Sequence, residues 1–101
     1  MRRTGTVSFL FTDIVGSTRL WEERPDVMPG VLALHDELVR SAIEAHGGFV
    51  FSTGGDGFAA AFQRSVDALD AAVQAQRDVH LRAWAGGVEL FVRMVSILAR
   101  R

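Results

Sequence analysis

The chain has 101 residues, 49% of them apolar and 23% charged, with a formal net charge of -1. That balance fits one soluble globular domain with a modest core, and it gives no electrostatic reason to expect nucleic acid or an anionic membrane as a partner. The absence of cysteine excludes disulfides, thiolate metal sites and cysteine nucleophiles.

All 11 basic residues are Arg, so there is no Lys, and there is no Asn either. A mechanism that needs Lys or Asn must take it from another polypeptide. No apolar run reaches membrane-spanning length, and Met1 to Thr6 do not resemble a signal-peptide core, so a cytoplasmic location is expected.

In chain order, Thr6-Val7-Ser8-Phe9-Leu10-Phe11-Thr12 is β-branched and aromatic on both faces, which predicts a central buried strand. It ends at Asp13. Gly16-Ser17-Thr18 then offers a tight turn and a cap for a short helix through Trp21. Pro25 and Pro29-Gly30 interrupt that helix or open the next. Val31, Leu34, Leu38, Ala42 and Ala45 recur at helical spacing, widened by Leu32, Val39 and Ile43, and Gly47-Gly48 stops the helix.

Phe49 to Thr53 and Phe58 to Phe62 read as a hairpin around the Gly-rich turn that holds Asp56. Ser65 is placed to cap a third helix with a face of Val66, Leu69, Val73 and His80. After Gly86-Gly87, the alternation of Val88, Leu90, Val92 and Met94 with Glu89, Phe91 and Arg93 predicts a fourth strand. The expected order is β-α-α-β-β-α-β.

Asp13 and Asp56 each border an apolar run, where a strand stops and a turn begins. Side by side, two such turns would make an oxygen-rich site for Mg²⁺ or Mn²⁺, with turn N–H groups available for phosphates. Taken singly, each aspartate is an ordinary turn residue. His35, His46 and His80 lack zinc-ligand spacing and read as surface or helix-face residues. Ser17 and Thr18 read as cap or phosphate-loop residues rather than nucleophiles, because no base is placed to activate them. Trp21 reads as a packing anchor, and Arg2-Arg3 and Arg100-Arg101 as solvated ends.

The run Phe9-Leu10-Phe11-Thr12-Asp13-Ile14-Val15-Gly16-Ser17-Thr18-Arg19-Leu20-Trp21 resembles the opening of class III nucleotide cyclase catalytic domains. Ala45-His46-Gly47-Gly48-Phe49-Val50-Phe51 and Gly55-Asp56-Gly57-Phe58 resemble the second metal-site hairpin of the same family. The Gly-Gly-Asp turn also resembles that of diguanylate cyclases, but Gly57 stands where those carry an acidic residue, and the first motif favours class III.

The resemblance implies an α/β (α+β) fold, the ferredoxin-like palm of class III nucleotide cyclases, here truncated. Both long helices would lie on one face of the sheet, and the opposite face would be the dimer surface. It implies a partial catalytic domain over 1–101, family-like over 5–94, with a divergent tail at 95–101.

It further implies that Asp13, Asp56 and the Ile14 carbonyl hold two metals, Mg²⁺ or Mn²⁺. Backbone N–H groups of Val15, Gly16, Ser17 and Thr18 would hold the triphosphate of ATP or GTP. In the family, one metal helps a ribose 3′-hydroxyl attack the α-phosphate and the other stabilises pyrophosphate.

Ser52 occupies the position of the adenine-reading Lys of the family's adenylate cyclases and is too short to replace it. The family's transition-state Asn and Arg belong to a C-terminal half that does not follow Arg101 here. A chain with only the metal and triphosphate half-site is expected to be inactive as a homodimer and competent only in a heterodimer with an intact cyclase. The alternatives are a non-catalytic nucleotide-binding or regulatory partner, or a degenerate fragment without function.

The family's fourth strand commonly reads Arg-Met-Gly-Leu-His-Thr-Gly-Glu-Ala. Loss of one base after the Met codon converts it to Arg-Met-Val-Ser-Ile-Leu-Ala-Arg-Arg, the sequence of Arg93 to Arg101. A frameshifted tail is therefore the expectation, and downstream DNA that encodes no missing half in another frame would refute it.

Overall fold

The structure, a computed structural model, describes residues 5–100; Arg2, Arg3 and Arg101 lie outside the described residues. Strand β1 (Thr6–Ile14) leads through a tight turn into α1 (Ser17–Glu23) and then α2 (Met28–Ala45). The hairpin β2 (Phe49–Ser52) and β3 (Phe58–Phe62) follows, then α3 (Ser65–His80), a 3-10 turn at Ala85–Gly87 and β4 (Val92–Arg100).

The four strands form one antiparallel sheet in the order β2-β3-β1-β4. Strand β1 is interior to the sheet as expected, but the helices cover only one of its apolar faces, and Phe11 on the other is exposed. This is the expected α+β order, and α2 and α3 contact each other and the sheet. Among the described residues, no helix is long and apolar enough to cross a membrane.

Two linked clusters form the core. One joins Leu10, Phe58, Ala60 and Phe62 of the sheet to Val39, Ala42 and Ile43 of α2 and to Ala68, Ala71 and Ala75 of α3. The other gathers Ile14, Met28, Val31, Val79, Trp84, Val88, Leu90 and Val92 at the end of β1. The opposite sheet face stays apolar and open: Phe11, Phe49, Phe51, Val95 and Ile97 are exposed, and Phe9 stacks edge-on against Phe51 at 5.9 Å.

Three expectations need correction. The buried face of α3 is Ala68, Ala71, Ala75 and Val79, whereas Val66, Leu69, Val73 and His80 are exposed. A helix held against both α2 and the sheet buries its small residues, because only those allow the backbones to approach.

His35 is fully buried, not at the surface. It lies one turn from both Val31 and Val39, on the stripe that faces the core.

The fourth strand begins at Val92, not Val88. Val88 and Leu90 are buried as their alternation predicts, but β1 ends at Ile14, whose partner is Val92, so the preceding residues have no strand to pair with. The divergent tail extends β4, and Val95 to Arg100 pair with Phe11 back to Thr6.

Candidate functional site

The site begins with the pairing of β1 and β3. Thr12 stands opposite Phe58, and the buried Phe58 N–H donates to Thr12 Oγ1 at 3.1 Å. This bond pins the start of β3 to the end of β1. Gly57 is pressed so closely on β1 that a Cβ there would sit 2.2 Å from the Thr12 carbonyl oxygen and 3.6 Å from Asp13 Cα. Only glycine permits that approach. The Gly57 N–H closes the turn by donating to the Gly54 carbonyl at 3.1 Å. Asp56, inside this turn, is thereby carried to the end of β1, where Asp13 stands.

The two carboxylates differ in surroundings. Asp56 Oδ2 is buried and has no hydrogen-bond partner among the described residues. A buried anionic oxygen without a donor is costly, and a cation is the natural remedy. Asp13 already faces one. Arg93 lies opposite it across β1 and β4 and donates from Nε to Oδ1 at 3.0 Å and from Nη2 to Oδ2 at 2.6 Å. This planar two-bond fork raises the Arg93 pKa above its ordinary value, mainly through the hydrogen bond to Asp13.

Beyond Asp13 the chain turns into α1. Gly16 caps the helix with φ +66°, a left-handed conformation that suits glycine, and no side chain caps it. The N–H groups of Ser17 and Thr18 open the helix and therefore have no acceptor within it. The Val15 N–H is committed to the Phe91 carbonyl at 2.9 Å, so it serves the fold rather than a ligand.

Ser52 ends β2 beside a bulge that sets it opposite Ala59. It is exposed, on the face that carries Phe11.

Among the described residues, no group of three or more His, Cys, Asp or Glu converges on one point. A metal here would rest on two carboxylates and backbone oxygen. The unpartnered Asp56 oxygen and the hard-oxygen donor set fit a divalent cation of the Mg²⁺ or Mn²⁺ type. A depression lined by Leu38, Asp78, Leu81, Arg82 and Ala83 lies at the far end of α3 and includes none of these residues.

Residues 1–86 match the family model of the adenylate and guanylate cyclase catalytic domain. The chain belongs to that family.

An adenylate cyclase of Neurospora crassa is 42% identical over 66 residues, covering 65% of this chain and 3% of that protein. A receptor-type adenylate cyclase of Trypanosoma brucei brucei is 40% identical over 79 residues, covering 78% of this chain and 6% of its own length. A solved adenylate cyclase domain from Trypanosoma brucei, in its monomeric state, superposes with a TM-score of 0.88 at 26% identity, covering 95% of this chain and 57% of that one. The chain thus spans a small part of these curated relatives and little more than half of the solved cyclase domain.

Within this cyclase domain, sequence reasoning missed Arg93 as a member of the site. Its pairing with Asp13 depends on the β1–β4 register, which no spacing in the sequence reveals. Of the remaining expectations, Trp21 is exposed, on a helix that buries nothing. His46 bonds Gln74 of α3 at 2.8 Å. His35 bonds the adjacent Asp36 at 2.9 Å.

Proposed function

We propose that this cyclase-family domain supplies the metal and triphosphate half of a nucleotide cyclase site and depends on a partner for the rest. The observation that carries this reading is the junction of Thr12 with Gly57 and Phe58, which joins the Asp13 and Asp56 turns and leaves one Asp56 oxygen buried without a donor among the described residues.

Asp13, Asp56 and the Ile14 carbonyl would hold Mg²⁺ or Mn²⁺. Bound there, the ions supply charge neutralisation to the triphosphate and help ionise the attacking ribose hydroxyl. The N–H groups of Gly16, Ser17 and Thr18 would orient the phosphates, with Val15 fixing the turn through Phe91. The reaction is conversion of ATP to cyclic AMP and pyrophosphate, in a cytoplasmic setting and in the service of signalling.

The hydroxyl of Ser52 is too short for the base-reading task, and the chain has no Asn to meet the transition state. Two copies of these 101 residues would share the same deficits, so that pair is inactive. A heterodimer with an intact cyclase is the competent form. The exposed Ser52 also favours a second reading, a non-catalytic partner that binds metal-nucleotide and regulates another cyclase.

Purified chain with ATP and Mn²⁺ is expected to bind nucleotide and make no cyclic AMP. Asp13→Ala and Asp56→Ala should each reduce nucleotide binding at least tenfold; unchanged binding in both would move the site elsewhere. Adding a cyclase that lacks its own metal aspartates should restore activity if the first reading holds. Binding without rescue supports the second. Cyclic AMP from the chain alone overturns the dependence on a partner.

A further inference from the structure

The two carboxylates of the half-site do not start from the same state. Asp56 holds a buried oxygen with no partner among the described residues, whereas both oxygens of Asp13 accept from one guanidinium. Arg93 is held opposite Asp13 by the strand ladder, in a run of paired residues from Thr6↔Arg100 to Ile14↔Val92. Its Cα position is therefore as fixed as the sheet, and only its side chain can move. Both side chains reach solvent, with relative exposures of 63% for Arg93 and 44% for Asp13. The fork can open without disturbing the fold.

A hard divalent ion and a guanidinium seek the same lone pairs of a carboxylate. They also repel each other at contact distance. We propose that Arg93 is a built-in competitor for the divalent cation at Asp13, and that its displacement sets the ion concentration at which the half-site fills. This inference rests on the metal half-site proposed above. An incoming ion displaces the guanidinium from the exposed Asp13 and then reaches the buried Asp56 oxygen. In the metal-free chain, Arg93 also keeps the two carboxylates from presenting their full combined charge.

Mn²⁺ alone tests this, with free ion counted by electron paramagnetic resonance and no nucleotide present. Arg93→Met is expected to bind Mn²⁺ about threefold to tenfold more tightly than the unaltered chain, with Arg93→Lys in between because it keeps the charge and loses the fork. Equal or weaker binding by Arg93→Met overturns the competition. If Asp13→Ala and Asp56→Ala bind Mn²⁺ as well as the unaltered chain, the metal half-site itself is wrong. If they lose binding while Arg93→Met gains nothing, only the competition falls.

A second measurement needs no variant. On titration with Mg²⁺, the Arg93 Nε–H resonance should shift in step with site filling. A signal that stays in place through saturation also overturns the proposal.

Discussion

Gly57 shows how one residue decides how closely the Asp56 turn approaches β1. Its missing side chain lets the hairpin turn rest on the Thr12 carbonyl, where a Cβ would come within 2.2 Å. The contact is with backbone, which cannot rotate away as a side-chain tip can. Gly57→Ala should therefore lift the turn from β1, weaken the Phe58 to Thr12 bond and cost about 1–3 kcal/mol of stability. A urea melt reads the stability loss, and a Mn²⁺ titration should show weaker binding in the same variant. The sequence reading already singled out the glycines flanking Asp56, since close approach is what glycine offers. The contact atom could not be foreseen, because it depends on which residue of β1 lies opposite.

At the scale of the element, α3 separates composition from packing. Three of its four larger apolar side chains, Val66, Leu69 and Val73, point outward, and Ala68, Ala71 and Ala75 face α2 and the sheet. Ala71→Leu should overfill that contact and cost about 1–3 kcal/mol. Leu69→Ala should change stability by less than about 0.5 kcal/mol, because the side chain is 60% exposed. Chemical denaturation midpoints distinguish the two, and the reverse ranking would restore the face chosen from residue size.

Periodicity alone located β1, α2 and the hairpin, since each has a long apolar run bounded by glycine or proline. It also found the alternation from Val88 onward. It could not say where pairing starts, because a strand needs a neighbour and β1 ends at Ile14. The same ignorance of register hid Arg93. The reading of Asp13 and Asp56 as a pair comes from local flanking motifs, which carry no sign of the contact between Asp13 and Arg93.

For the whole molecule, the open sheet face is the dominant feature. Phe11, Phe49, Phe51, Val95 and Ile97 expose apolar surface on the side away from the helices, next to the partly covered Phe9. A continuous patch of this kind favours association. The chain is expected to show a concentration-dependent apparent mass by light scattering. Phe49→Glu should shift it toward monomer with little loss of stability, since Phe49 is already 70% exposed. Unchanged association in that variant would place the contact elsewhere.

The separations along the chain also favour an order of events in a folding polypeptide. The bond that joins the Asp56 turn to β1 spans 46 residues, whereas the Arg93 fork to Asp13 spans 80. A folding chain can close the shorter loop before it closes the longer one. For that interval the Asp56 turn rests on β1 while Asp13 still lacks its guanidinium. The contact between the Asp56 turn and β1 can thus be in place before the ion pair that ties β1 to β4.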